Sequence, residues 1–254
     1  MYPSRWQSAI LAAVQEQGRL SIAELAARLR LSDETIRRHV RPLVENGSLN
    51  REHGAVAARE IAGEPPFSRR LKEAADAKRA IARAAAELVE DGQTIMIDTG
   101  STTAYVAGAL NRRRDLTVIT NSVEIARQLV GRHGHRVFMA GGELRADIAA
   151  AVGREALAFI DRFRADLAII SVGAIHSDHG FMDFDFSEAE IARSMLARSG
   201  QAIVVADSRK FSARAGVQVC PFGDIAHLVT DRTPLDPYAT QLRACGVNVV
   251  VQQP

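Results

Sequence analysis

The run Asp98-Thr99-Gly100-Ser101-Thr102-Thr103 sets a carboxylate, a glycine and consecutive hydroxyls side by side. If a strand delivers Asp98 and a helix begins after Gly100, the hydroxyls of Ser101, Thr102 and Thr103 enter that helix beside free amides. Such a turn binds anions. It is not a P-loop, because no Gly-Lys-Ser/Thr follows, and with a single glycine it is not a dinucleotide fingerprint. The plain alternative is a helix start whose hydroxyls are satisfied locally. Similar polar turns follow at Thr120-Asn121-Ser122, Gly141-Gly142-Glu143-Leu144-Arg145, Ser171-Val172-Gly173-Ala174 and Asp207-Ser208-Arg209-Lys210-Phe211. Gathered into one pocket, these turns suit a small phosphorylated polyol. Ser101, Thr102 and Thr103 would hold the phosphate, with Lys210 and Arg145 supplying positive charge. Asp98 and Asn121 would take hydroxyl hydrogen bonds, and Gly142 and Gly173 belong to the lining turns. Glu188 either faces inward or is a solvated first-turn carboxylate favoured by a helix dipole. Asp183 and Asp185 would repel a phosphate and are placed toward hydroxyls or solvent.

A second set lies near the N-terminus. Ser32 caps a helix whose inner face is Ile36, Val40, Leu43 and Val44, closed by Gly47. That leaves Asp33, Glu34, Thr35, Arg37, Arg38 and Arg41 for the outer front, and Ser32, Glu34, Thr35, Arg37, Arg38 and Arg41 are its candidate DNA contacts. A helix bearing arginines in this way fits a DNA major groove, where they pair with guanine edges or phosphates. Leu49-Asn50-Arg51 and Ala55-Val56-Ala57 flank His53-Gly54, which reads as a hairpin wing carrying Arg51 and His53. On composition alone a protein-binding three-helix unit remains open, because arginines only slightly outnumber acidic residues in this part of the chain.

These residues need elements to hold them. Trp6, Ile10, Leu11 and Val14 form the stripe of a first helix over residues 5–17, with Ser4 and Gln7 as its capping box. Ser21 and Glu24 open a second helix that buries Ile22, Leu25, Ala26 and Leu29. The front part is therefore a helix-turn-helix with a wing, over residues 1–57. Residues 58–73, with Pro65-Pro66 and no period, read as a linker. An alanine-rich helix is expected over residues 71–90, as a lever, a self-association surface or ordinary packing. From residue 94 onward, β-branched runs at 94–98, 116–120, 135–139, 166–171, 201–206, 226–230 and 247–251 alternate with helical patterns. This predicts an α/β domain over residues 74–254 with a mainly parallel sheet, whose ligands sit beyond the carboxyl ends of the strands.

Composition narrows the classes. A 254-residue chain with 47% hydrophobic residues can bury two cores. A net charge of +2 gives no global basic field, so affinity for DNA must come from local clustering and paired heads. Cys220 and Cys245 have no metal-ligand spacing, and no metal or cofactor is expected. No leader and no membrane-length apolar run is read, so a cytoplasmic protein is expected.

The N-terminal pattern Ser32-Asp33-Glu34-Thr35-Ile36-Arg37-Arg38, followed by Leu43, Gly47, Leu49, His53 and Gly54, resembles the winged-helix head of the DeoR family of bacterial repressors. Two departures stand out: His39 follows the arginine pair where Asp is usual, and the wing has Gly54-Ala55 in place of two glycines. Asp98, Gly100, Ser101, Thr102, Thr103, Thr120, Asn121, Gly141, Gly142 and Arg145 resemble that family's sensor domain. So do Gly173-Ala174, Glu188-Ala189 and Asp207, Lys210, Phe211. The resemblance implies a ribose-5-phosphate-isomerase-like fold and a repressor of sugar or polyol genes, not an enzyme. Its implied partners are operator DNA, a phosphorylated sugar or polyol and further copies of the chain, as dimer or tetramer. The segment from Gly180 to Phe186 looks like the branch that answers to glycerol 3-phosphate. The competing reading is a sugar-phosphate isomerase carrying a DNA-binding head, with Asp98, Glu188 and Lys210 as acid–base groups.

Overall fold

The structure, a computed structural model, describes residues 5–45, 49–52, 54–58 and 65–254. It divides into two compact units, Met1–Glu73 and Ala74–Pro254. In the first unit, α1 (Arg5–Gln17), β1 (Arg19–Ser21), α2 (Ile22–Leu29) and α3 (Asp33–Glu45) precede the wing strands β2 (Leu49–Glu52) and β3 (Ala55–Ala58). Ile10, Val14, Leu25, Ile36, Leu43, Leu49 and Val56 form its core. The capping box opening α2 is complete: Glu24 N–H donates to Ser21 Oγ at 3.2 Å, and Ser21 N–H donates to Glu24 Oε2 at 2.7 Å. Ser32 Oγ accepts from Thr35 N–H at 3.3 Å as α3 begins. β1 adds a third strand to the wing in the order β1-β3-β2. The sequence reading missed it, since three residues are too few to show alternation.

The segment read as a linker contains α4 (Phe67–Lys72), which packs on α1. The single alanine-rich helix expected over residues 71–90 is thus interrupted. After α4, Glu73 is extended and Ala74 is left-handed (φ 48°) before α5 (Ala75–Glu87) starts. No glycine or proline marks that break, so periodicity reads through it. Ser4, Gly47, His53 and residues 59–64 of the linker lie outside the described residues.

The second unit is organised by a seven-stranded sheet. Its strands are β4 (Thr94–Ile97), β5 (Thr117–Thr120), β6 (Arg136–Met139), β9 (Ala165–Ser171), β12 (Ser199–Val205), β14 (His227–Thr230) and β15 (Asn248–Val251). They run in the order β15-β14-β12-β9-β4-β5-β6, and every neighbouring pair is parallel. α5, α6 (Ser101–Ala109) and α7 (Val123–Leu129) cover one face through Ile81, Val106 and Ile125 against Ile95, Ile97 and Val118. α8 (Arg154–Ile160), α9 (Phe186–Ala197) and α10 (Tyr238–Ala244) cover the other through Ile160, Met195 and Leu242 against Met96, Ala168 and Val204. A strand buried on both faces needs no polar alternation, which explains the continuous apolar runs.

Two smaller antiparallel pieces sit outside that sheet. One is a ribbon of β7 (Leu144–Arg145) and β8 (Ala150–Ala151); the other joins β10 (Ala174–His176), β11 (Gly180–Asp183) and β13 (Val217–Cys220). From β4 the chain steps outward through β5 to β6, then returns to the far side of β4 as β9. The direction of winding therefore reverses between β4 and β9, and a crevice opens there at the carboxyl ends of both strands.

Candidate functional site

Asp98 and Ser171 close the floor of this crevice. Asp98 directly follows β4 and Ser171 ends β9. The Ser171 N–H donates to both Asp98 carboxylate oxygens at 3.1 Å, and its hydroxyl lies 3.4 Å from each. Burial pushes the Asp98 carboxyl well above the usual carboxylate range. The Ser171 N–H opposes that shift, and the nearby charges of Asp183 and Glu188 add to it. Gly100 is where the two strand ends come closest: a Cβ there would lie 1.9 Å from Ser171 Oγ. Its backbone is extended, so the glycine is required by space and not by dihedral angle.

α6 begins immediately after Gly100 without a side-chain cap, leaving its first amides open toward the crevice. Ser101, Thr102 and Thr103 are all buried. Thr103 Oγ1 is taken up locally, within 3.0 Å of the Asp98 carbonyl and 3.1 Å of the Gly100 carbonyl. Ser101 and Thr102 hydroxyls take no hydrogen bond within the described residues. They and the helix amides are therefore donors left over at the turn.

The other predicted residues divide into two groups. Gly173 N–H donates to the Met182 carbonyl at 3.0 Å, and a Cβ at Gly173 would lie 2.7 Å from the Phe184 ring. This brings the end of β11, with Asp183, against the β9 end of the crevice. Asp183 Oδ1 accepts from Phe184 N–H at 2.6 Å, turning the chain into α9. The cap of α9 is Asp185, whose Oδ1 accepts from Ser187 N–H at 2.8 Å and Glu188 N–H at 3.0 Å. Glu188, in that first turn, is half-buried, and its charge reaches Asp98. Lys210 lies in a short turn helix, Ser208–Ser212, that packs on β10. The turn is capped by Asp207, whose carboxyl burial would raise; the Arg209 guanidinium at 2.8 Å, helped by Lys210, holds it below the usual range.

Asn121 and Gly142 belong to a different piece of architecture. The Asn121 amide donates to the Ala151 carbonyl at 2.9 Å, and Thr99 Oγ1 donates to the Ile148 carbonyl at 3.1 Å. Both side chains tie the β7–β8 ribbon to the sheet. The Asn121 Oδ1 atom is buried without a partner among the described residues. Gly142 (φ 130°) lies beside Glu155 at the start of α8.

Arg145, on β7, meets two carboxylates: Asp147 at 2.6 Å and Asp185 at 2.7 Å. Burial would raise the Asp147 carboxyl, but Arg145 more than offsets this and holds it low. Arg145 therefore links the ribbon to the cap of α9. Sequence reasoning placed Ser171 in a polar turn without giving it a partner, and overlooked Asp147 and the capping role of Asp185. For Asp185 the Asp-x-x-Glu spacing to Glu188 was the available signal.

In the N-terminal unit, Ser32, Glu34, Arg37, Arg38 and Arg41 are exposed along α3, and Thr35 is half-buried with its Oγ1 2.9 Å from Ser32 Oγ. Arg41 pairs with Glu45 at 2.8 Å, and both side chains remain open to solvent. Between α3 and the wing runs a groove of about 420 Å³ with an apolar floor that includes Val40 and Val56 and a rim of Arg37, Arg41 and Arg51. His53, the other wing candidate, lies outside the described residues. Among the described residues no helix is long and apolar enough to cross a membrane.

A winged helix-turn-helix unit followed in one chain by a parallel α/β unit with a polar crevice defines a transcription regulator with its own sensor. Residues 7–61 match the DeoR-like helix-turn-helix domain and residues 73–232 match the DeoR C terminal sensor domain. The chain belongs to the DeoR family. It is 34% identical to the HTH-type transcriptional repressor CsqR of Escherichia coli (strain K12), over 96% of this chain and 94% of that one. It is 32% identical to the glycerol-3-phosphate regulon repressor of the same organism, over 92% and 93% of the two chains. Among solved structures, a D-ribose-5-phosphate isomerase in complex with phospho-erythronic acid is similar at 19% identity. That match covers 53% of this chain and 52% of the isomerase, with a TM-score of 0.40.

Proposed function

We propose that this protein is a repressor whose paired heads hold operator DNA and let go when a phosphorylated sugar or polyol occupies the β4–β9 crevice. The observation that carries the reading is the uncapped start of α6, set beside the Asp98–Ser171 contact where the sheet reverses its winding. The phosphate sits on the α6 amides with Ser101 and Thr102, and Lys210 supplies positive charge. Asp98 and Glu188 accept hydroxyls of the ligand, on the side away from the phosphate. The relative named for a glycerol-3-phosphate regulon favours a small polyol phosphate. Arg145 turns from Asp185 to the incoming anion, and the loosened start of α9 passes occupancy on to the assembly. A ligand shifts the heads only as far as its affinities for the two arrangements differ.

On the DNA, α3 lies in the major groove with Arg37 and Arg38 at base edges, while Arg41, Arg51 and His53 meet the backbone. Ser32, Glu34 and Thr35 border the same contact at the start of α3. The chain works in the cytoplasm as a dimer or tetramer and turns over no substrate.

The test is a fluorescence-anisotropy titration on the DNA upstream of the protein's own gene, repeated with glycerol 3-phosphate and with pentose and hexose phosphates. One of these compounds is expected to release the DNA, with no product formed in a parallel turnover assay. Lys210→Ala is expected to bind the same DNA normally and to need at least tenfold more ligand for release. Normal release by that variant would remove Lys210 from the pocket. Conversion of a sugar phosphate by a protein that ignores every duplex would replace the repressor with an isomerase.

A further inference from the structure

Glu73 and Ala74 lie between two helices that the sequence alone would join. Residues 67–87 hold no glycine and no proline, and Glu73 and Ala74 are both good helix formers. Yet Glu73 is extended (ψ 135°) and Ala74 is left-handed (φ 48°, ψ 40°). A left-handed alanine is disfavoured about 5- to 30-fold against a right-handed helical one. The bend therefore opposes the local preference of the chain, and one continuous helix is its natural competitor. The boundary between the two units falls at this same peptide bond.

Each helix is fixed on its own side of the bend. α4 belongs to the head: Phe67 is buried, and the Arg69 guanidinium lies over Gly18 at the end of α1, so closely that a Cβ there would collide with it. Arg69 in turn holds Glu73 at 2.8 Å. α5 belongs to the sensor: Ala77, Lys78 and Ile81 are buried, and Arg79 stands over the Tyr105 ring of α6, 5.9 Å from its centre. Lys78 N–H donates to the Ala74 carbonyl at 3.0 Å, so the first turn of α5 begins at the bend itself. α5 precedes β4 and α6 follows it on the same face, so both helices start at the carboxyl end of the sheet. The chain thus enters the sensor at the end where the crevice opens.

We propose that the Glu73–Ala74 bend is the hinge through which the crevice governs the head. Residues 67–87 exchange between this bent form and one continuous helix, and operator DNA and ligand select opposite forms. Two residues that change conformation between two fixed helices make a two-state element, which a ligand biases by its differential affinity. By linkage, a change that favours one form strengthens the binding of one partner and weakens that of the other. This hinge depends on the repressor reading, since it couples the two binding events that reading names.

Two substitutions push the bend in opposite directions. Ala74→Gly accepts left-handed angles freely and favours the bent form by about tenfold, whereas the β-branched side chain of Ala74→Val strongly resists them. On the DNA upstream of the protein's own gene, one variant is expected to bind at least threefold tighter than wild type and to need more glycerol 3-phosphate for release. The other is expected to do the reverse. Spin labels at Ser68→Cys and Arg83→Cys, both exposed positions, read the form directly in full-length Cys245→Ser protein diluted with unlabelled chains. Cys220 is buried and stays. Pulsed dipolar spectroscopy is expected to show a separation of about 22 Å for the continuous helix and a shorter one for the bend. Ala74→Gly should enrich the shorter and Ala74→Val the longer, and duplex added to chains with Ala74 intact should change their ratio at least threefold. One distance that never shifts, or wild-type affinity for the duplex in both variants, overturns the hinge even where glycerol 3-phosphate releases DNA normally. A ratio that answers to duplex and not to glycerol 3-phosphate keeps the hinge and removes that compound as the ligand.

Discussion

The α3 surface and the β4–β9 crevice are built on opposite terms. Arg37, Arg38 and Arg51 stand in solvent around a small apolar core, and removing them leaves that core untouched. Asp98, Thr103 and Asp207 are buried, and each is held by hydrogen bonds that also shape the strand ends. Exposed charges cost folding little and act when a partner arrives. A buried carboxylate burdens the folded state until something answers it. The comparison predicts that head variants separate function from stability, while crevice variants move the two together.

The widest separation is expected from Arg37→Ala and Arg38→Ala. Each should weaken operator binding by about 10- to 100-fold, the range of one base-reading contact. Surface truncation should leave stability within about 0.5 kcal/mol and ligand affinity unchanged. Anisotropy and urea unfolding on the same samples measure both quantities, and a large fall in stability would erase the contrast. Gly100→Ala tests the other side. Its methyl would collide with Ser171 Oγ, and overpacking of this kind costs about 1–3 kcal/mol. Urea unfolding should register that loss in the sensor unit, together with weaker ligand binding.

Ser21→Ala sharpens the comparison inside the head. It removes the capping box of α2, which includes none of α3's arginines, so it should cost about 1 kcal/mol of stability and spare the affinity of folded protein for DNA. Asp98 carries the most specific sign. The folded pKa of Asp98 is raised above its unfolded value, so its carboxyl favours folding fully only below the ordinary range near about 4. That contribution is lost as pH rises through the folded value. Asp98→Asn keeps an oxygen for the Ser171 N–H and has no charge to bury. It should melt higher than wild type at pH 7–8, lose that advantage toward pH 4, and bind ligand more weakly. Melting curves across that range check the sign.

Much of this was readable in the chain. The Ser21–Glu24 and Ser32–Thr35 caps, the inner face of α3 and the seven apolar runs follow from local spacing, and the elements formed within a residue or two of the expected bounds. The α4–α5 break was not readable, because Glu73 and Ala74 have no breaker chemistry. Nor was the work of Asn121, whose type suits a ligand hydroxyl equally well and whose amide is spent on the Ala151 carbonyl. Arg145 was read as positive charge for a phosphate, and nothing local announced that Asp185 would hold it.

By itself, the order of residues determined a helix-turn-helix whose last helix turns its arginines outward and a hydroxyl-rich helix start beyond a buried strand. Helical and strand periods are short-range, and caps act within a turn, so both are legible without a fold. Only the tertiary structure decided that Asp98 meets Ser171, 73 positions later, and that Arg145 meets Asp185, 40 positions later. Those pairings depend on strand order in the sheet. No local period encodes that order; it comes from how seven strands bury their two faces at once.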